Sequence, residues 1–367
     1  MGLFSKSATD MSYLGVDIGG SSIKMVELTN NAGRAQLVTY GYLERSLSGE
    51  KSKLIDQPDQ TAELIKKVAT GCRAVTKRAV TALPANAVFS SIISLSEISR
   101  SDLSSPKKVT AAVEWEAKKV LPLPLEEMIL DWKVLGSEEI LKQKGNADDK
   151  LKNLQVLLTG AAKEVVQKYI EIFKKAGLEL ISLETESFAL ARSMVGKDKS
   201  VVVLVDIGAV NTDISVIENS IPLLNRSLGI GGLEITKEIM NVMKVSIEQA
   251  EQFKRDLAGN NEMFEGEGLP EIIQRPVQTM IDEVQYTINF YLEQPDNKDK
   301  KIERIVLSGG TAGLFNLPKF FSDQIGVRSF IGNPWARVIY PEDLQPILDG
   351  VGSRLATAIG LAMRDIE

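Results

Sequence analysis

The sequence predicts an α/β protein of two related halves, with an α+β segment inserted in the first. Three observations predict this. VDIGGSSIK over 16–24 recurs as VDIGAVNTD over 205–213: an apolar run, an aspartate, Ile-Gly, a small-residue turn and a second alternating run. A repeat of this kind decides the architecture first, because each copy is one structural unit. LSGGTAG over 307–313 follows an apolar run and precedes a helical pattern, the form of a parallel strand, glycine turn and helix. From about 85 to 181 the character shifts to alternating strands and amphipathic helices with their own punctuation, which marks an inserted domain.

The elements follow in order. YLGVDIG over 13–19 is a short buried strand, SSIKMVELTN over 21–30 alternates, NNAG is a turn, and AQLVTYGYLER over 35–45 is a third strand. TAELIKKVATGC over 61–72 carries Leu64, Val68 and Cys72 at spacing four and reads as a helix, and RAVTALP is a strand stopped by Pro84. The insert reads as strand (87–96), helix ended by Pro122, strand (128–136), a polar hairpin tip (137–153), strand (154–161) and a helix over 163–177 with Gly177 as its C-cap. ESFALARSMVG is a short helix, and the repeated hairpin follows it. A helix, a break at Val245–Ser246, a second helix and a loop over 258–268 come next. In the long helix over 270–294, Pro276 either kinks the helix or starts its main part. The chain closes on a helix of small residues, GSRLATAIGLAMRDIE. The expected division is a first-half core over 12–84, completed by 182–199 and 338–367; the insert over 85–181; a second-half core over 200–234, completed by 300–337; and a helical subdomain over 235–299.

Composition narrows the chemistry. A chain of 367 residues with 44% hydrophobic and 25% charged residues can bury a real core. Its net charge of −6 argues against nucleic acid as a partner. With no histidine and a single cysteine, Cys72, the chain has no His-based catalysis, no His or thiolate zinc site and no internal disulfide. Any metal must be a hard cation on oxygen ligands, Mg²⁺ or Ca²⁺. MGLFSKSATDMSY lacks a signal-peptide core and no run reaches the roughly 20 apolar residues of a membrane span, so a cytoplasmic chain with a disordered start is expected.

The two Asp-Ile-Gly turns carry the functional argument. Bare backbone at Gly19, Gly20 and Gly208 can approach phosphate oxygens with its N–H groups, because no side chain intervenes. Ser21, Ser22 and Thr212 can add donors, with Asn211 beside them, and Lys24 a point charge. Asp17 and Asp206 would repel phosphate directly, so they make sense as Mg²⁺ holders acting through water. One such turn is ordinarily just a turn; two copies facing each other from related halves are a site. Gly309, Gly310 and Thr311 would let backbone lie flat against a base or sugar. No G-x-x-x-x-G-K-[ST] is present, so a P-loop NTPase is not supported.

These elements, in this order, resemble the actin-like ATPase superfamily, which includes actin, the Hsp70 ATPase domain and sugar kinases. The resemblance implies two actin-like (RNase H-like) halves around an ATP cleft, with Lys24 as the phosphate lysine. ESFALA over 186–191 looks like the first connecting helix, with Glu186 placed to position a water. AEQFK over 250–254, after Gly231 and Gly232, is similar to the motif in which Glu251 meets ribose and Lys254 lies by adenine. GVGSRLATAIGLA over 350–362 looks like the second connecting helix. Charged residues on a helix are mostly a solvated face, so Glu251 and Lys254 gain weight only from their place after GIGGLEIT.

Within the superfamily the chain resembles the PilM family of type IV pilus assembly, on the opening MGLFSKS, on ETESFALAR after a helix ending KKAGL, and on the FtsA-type place of the insert. That resemblance implies ATP with Mg²⁺. It also implies a partner, the N-terminal cytoplasmic segment of a PilN-type inner-membrane protein, held between the first core subdomain and the insert. Contact with other pilus platform proteins, indirect attachment to the inner face of the inner membrane, and room for self-association follow from the same likeness. Any ATPase activity is expected to be slow. Two alternatives stand beside this reading. An FtsA-like division protein would be expected to end in a basic amphipathic helix, whereas this sequence stops at AMRDIE. A sugar kinase would need a carboxylate base and a polar sugar pocket, and the insert offers no such motif.

Overall fold

The computed structural model describes residues 12–45, 53–96, 98–99, 102–136, 151, 154–259 and 268–366. The expectations for the start of the chain, for most of the hairpin tip at 137–153 and for most of the loop at 258–268 lie outside the described residues.

The first half opens as an antiparallel meander of β1 (Ser12–Ile18), β2 (Ser22–Asn31) and β3 (Arg34–Glu44). After α1 (Pro58–Gly71), β4 (Arg78–Leu83) returns parallel to β1. Every residue of β1 except Tyr13 is buried, which accounts for its unbroken apolar reading: it is a central strand covered on both faces. Pro58 starts α1, where its missing N–H is no loss, and Ala62, Ile65 and Val68 face the core at helical spacing.

The insert supplies β5 (Val88–Leu95), α2 (Pro106–Ala117), β6 (Met128–Val134) and β7 (Leu154–Ala162). Its sheet runs β5-β7-β6, antiparallel throughout, and α2 packs on it through Val109, Val113 and Ala117. The compact unit is Asn86–Lys168 and not 85–181. The difference arises because α3 (Lys163–Ala176) passes from this unit into the larger one, and β8 (Glu179–Thr185) pairs parallel with β4 there. The half-buried residues of β8, ELISLET, leave no alternation to reveal it.

α4 (Glu186–Leu190) follows β8 directly and continues as a π-helical stretch, Ala191–Val195, ending at Gly196 with φ 67°. The second half repeats the meander in β9 (Val202–Ile207), β10 (Thr212–Glu218) and β11 (Ile221–Leu228). α5 (Gly232–Met243) and α6 (Ile247–Gly259) flank the expected break, where Lys244 adopts φ 55°. α7 (Glu271–Leu292) is one helix with Pro276 buried inside it, so the proline does not begin its main part. β12 (Arg304–Ser308), α8 (Leu317–Ile325), β13 (Ser329–Ile331), β14 (Val338–Ile339) and α9 (Gln345–Ala362) complete the chain.

The strand orders make the repeat explicit. The first sheet runs β14-β3-β2-β1-β4-β8 and the second β11-β10-β9-β12-β13. Apart from the edge strand β14, each is the same meander followed by two parallel strands. The second-half core joins Val203, Val205, Ile214 and Val216 to Ile235, Val277, Ile281 and Phe321 from its helices.

α9 needs its small residues because it lies against other backbone. A side chain at Gly15 of β1 would collide with the carbonyl oxygen of Ala358, and one at Gly360 with the carbonyl oxygen of Ala189 in α4. Leu190, Ala191 and Ala356 then meet Leu204 and Ile217 of the second half in one apolar cluster, so α4 and α9 join the halves. Overpacking this contact forces backbone to move. Gly360→Val is expected to lower stability by at least about 3 kcal/mol, read as a fall in the urea midpoint. An unchanged midpoint would contradict the close approach.

Candidate functional site

Each half turns the carboxyl ends of its parallel strands toward one cleft, where ligands collect in open α/β sheets. Asp17 lies near the end of β1, Glu186 just beyond β8, Asp206 near the end of β9, and Gly309 just beyond β12. The cleft has a volume of about 420 Å³. Ser21, Ser22 and Lys24 line it from the first half, and Asp206, Gly208, Gly232, Gly309, Gly310 and Thr311 from the second, with Glu251 and Lys254 on α6.

The two Asp-Ile-Gly turns have one construction. Gly19 N–H donates to the Ser22 carbonyl at 2.9 Å, and Gly208 N–H to the Asn211 carbonyl at 2.9 Å. They approach closely, since a Cβ on Gly20 would lie 3.0 Å from Val210 Cγ2. The first turn of α5 docks under the second turn: Gly232 N–H donates to the Gly208 carbonyl at 2.9 Å and Leu233 N–H to that of Ala209 at 2.8 Å. A Cβ on Gly231 would come 2.7 Å from the Gly208 oxygen, which is why a glycine stands there. Gly309, at φ 90°, folds back onto the backbone of Ile207, and Thr311 N–H donates to the Ile207 carbonyl at 3.2 Å.

Seven sequence-selected residues lie outside the cleft lining: Asp17, Gly19, Gly20, Glu186, Asn211, Thr212 and Gly231. Thr212 is fully buried and its hydroxyl donates to the Ile230 carbonyl at 2.8 Å, so it fastens backbone and does not face the cleft. Among the lining residues that escaped sequence reasoning are Glu44, Arg45, Arg255 and Arg354. Arg255 follows the selected Lys254, and Arg354 lies within GVGSRLATAIGLA, so both stand in or beside motifs that the sequence marks. Glu44 and Arg45 end an ordinary strand and carry no local signal.

The charges are arranged unevenly. Lys24 Nζ donates to Asp17 Oδ2 at 2.8 Å, as the strand register pairing Asp17 with Lys24 requires. Burial pulls the Lys24 ammonium down, but Asp17, Asp206 and Glu186 outweigh it and hold its pKa above the ordinary lysine value. The equivalent register in the second half pairs Asp206 with Asp213, acid against acid. Burial raises Asp206, though Lys24 and the Ser308 hydroxyl oppose the shift. Burial, then Asp213, Asp17 and Asp206, push Glu186 well above the carboxylate range, although Ala85 N–H donates to its Oε2 at 3.1 Å. Asp213 is raised to about 6, chiefly by burial and further by Asp206, and its Oδ1 has no hydrogen-bond partner. The site thus holds more buried negative charge than Lys24 neutralises.

On α6, Lys254 is committed within its own half. Its Nζ donates to the Gly232 carbonyl at 2.9 Å, to Thr236 Oγ1 at 2.7 Å and to Glu251 Oε1 at 2.7 Å, and the Thr236 hydroxyl also bonds Glu251. Burial lowers the Lys254 pKa. The pair fixes α6 to the glycine start of α5, at the wall of the cleft.

Two like-wound α/β halves around a glycine-lined cleft define an actin-like ATPase fold. Solved structures agree: MreB 5 of Spiroplasma citri bound to AMPPNP matches with a TM-score of 0.50 at 12% identity, over 95% of this chain and 94% of that one. Within this class, a family profile described as Type IV pilus assembly protein PilM matches residues 15–366. The chain belongs to the PilM family of type IV pilus assembly proteins. The PilM–PilN type IV pilus biogenesis complex matches with a TM-score of 0.79 at 25% identity, over 97% of this chain and 98% of that one. Cell division protein FtsA of Bacillus subtilis (strain 168) is 30% identical over 164 residues. That match covers 41% of this chain and 37% of the FtsA length, so this relative is shared in part only.

The acid cluster gives a pH prediction. A carboxyl whose folded pKa is raised stabilises the fold below its unfolded pKa and loses that contribution as pH rises through the folded value. For Asp213 the window runs from the ordinary 3.8 to about 6. Asp213→Asn removes the charge, so it should be more stable than wild type at pH 7.5, by roughly 2–3 kcal/mol. The advantage should close as pH falls to about 4. Urea titrations at both pH values check this; an equal gap at both would refute the buried, underpaired carboxylate.

Proposed function

We propose that the cleft binds ATP with Mg²⁺ and that this nucleotide-bound protein joins pilus assembly to the membrane by holding the N-terminal cytoplasmic segment of a PilN-type protein. The observation that carries the nucleotide reading is the convergence of Ser21, Ser22 and Lys24 beside the first Asp-Ile-Gly turn, Asp206 and Gly208 of the second, and the Gly309–Thr311 turn on one cleft. Backbone N–H groups in glycine turns, with one ammonium, suit a chain of phosphates. Gly310, where an added Cβ would meet nothing nearer than Arg354 Cγ at 3.7 Å, and the Glu251–Lys254 pair suit adenosine.

The donor set fits Mg²⁺. It is all oxygen and carries excess buried negative charge at Asp206, Asp213 and Glu186 that a divalent cation would offset. No three acids among the described residues converge as a direct metal cage. Asp17 and Asp206 would therefore hold the ion through water, as Mg²⁺ prefers. When bound, the ion would supply charge neutralisation at the phosphates. Burial and the neighbouring acids raise the Glu186 carboxyl, and positive charge entering the cleft would favour its anionic form, which suits a residue that orients water beside a metal–nucleotide complex.

The partner reading rests on family membership and on the likeness to the PilM–PilN complex. No helix of the described residues is long and apolar enough to cross a membrane, so attachment to the inner face of the inner membrane would run through the partner.

Two measurements test these readings. Calorimetry with Mg–ATP should show binding by wild type and none by Asp206→Ala, with the circular dichroism melt preserved; retained affinity in the variant would sink the site assignment. Fluorescence anisotropy of a labelled N-terminal peptide from the PilN-type protein of the same cell should rise on adding wild type. A peptide that stays free at high micromolar protein would remove the partner reading.

A further inference from the structure

We infer that Glu44 is a latch across the mouth of the cleft and that its two ion pairs slow the release of bound nucleotide. The inference rests on the reading that the cleft binds Mg–ATP and names a control on that same site.

Glu44 is the last residue of β3, in the first half. Its carboxylate oxygens are engaged separately. Oε1 accepts from Arg354 NH1 at 3.0 Å and Oε2 from Arg255 NH2 at 3.2 Å. Arg354 belongs to α9, which packs on β1 and β2 of the same half. Its stem also runs beside the second half, because a Cβ on Gly310 would lie 3.7 Å from Arg354 Cγ. Arg255 belongs to α6, which is fastened by the neighbouring Lys254 to the start of α5. One carboxylate therefore ties the end of a first-half strand to the second-half helix that forms the nucleoside wall. All three residues line the cleft. Glu44 also faces Lys254, whose ammonium is crowded by the Arg255 guanidinium, so the carboxylate offsets a repulsion as well as bridging the halves.

The magnitude suits a kinetic control and not a structural one. The three side chains are 38%, 57% and 31% exposed for Glu44, Arg255 and Arg354, so solvent weakens each pair. Such pairs add little to the fold. They must nevertheless break whenever the halves part far enough for nucleotide to leave, and so they act on the dissociation rate. The proposal accordingly expects a modest, salt-sensitive effect, because exposed charges are screened over a few ångströms at high ionic strength.

The test is stopped-flow release of a methylanthraniloyl-labelled ATP with Mg²⁺ from the full chain, chased with unlabelled ATP. Glu44→Gln and Arg255→Gln should each speed release about 1.5- to fivefold. The double variant should be no faster than either single one, since both break the same bridge. Added salt should speed release from wild type and leave Glu44→Gln nearly flat. Arg255 is exposed on a helix face, so Arg255→Gln carries the test even if Glu44→Gln proves poorly folded. Nucleotide bound by wild type but released at one rate from wild type and Arg255→Gln overturns the latch and leaves the nucleotide reading standing. Failure of wild type to bind the labelled nucleotide overturns both.

Discussion

Helix α9 lies so close to β1 and α4 that Gly15 and Gly360 face carbonyl oxygens with no room for a side chain. The rest of the larger unit depends on that contact. It draws α4, α9 and strands of the second half into one apolar cluster, so the two sheets turn the carboxyl ends of their strands to a common space. Larger residues at these two positions would push α9 away from β1 and α4.

Within that cleft, electrostatics is the stored quantity. Asp17 is answered by Lys24, but Asp206, Asp213 and Glu186 are gathered in a buried place with too little positive charge. The free protein keeps such groups toward their protonated forms. A hard cation placed among them would offset that charge.

The two halves also show how a duplicated motif diverges. Position for position, Asp17 faces Lys24 across the first hairpin, and Asp206 faces Asp213 across the second. The backbone hydrogen bonds of the two turns match in donor, acceptor and length. The two hairpins share one backbone scaffold but differ at this cross-strand position, a lysine in the first and an aspartate in the second. Thr212 followed the scaffold and not the site: its hydroxyl serves the Ile230 carbonyl.

Periodicity and turn chemistry are local properties, and they are legible in the chain itself. The paired meanders, the break between α5 and α6, the small-residue last helix and the glycines at both turns can all be read from the order of residues, because each depends on neighbours within a few positions. β8 is hidden, since its half-buried residues do not alternate, and with it the true end of the insert at Lys168. Glu44, Arg255 and Arg354 stand in plain sight as charges, but which of them meet is a matter of how β3, α6 and α9 are brought together in space. The sequence determined the repeat, the turns and the kind of ligand such turns suit. Tertiary structure alone decided which acids share a buried space and which carboxylate spans the cleft, because those pairings join residues far apart in the chain and depend on the distance set by α9.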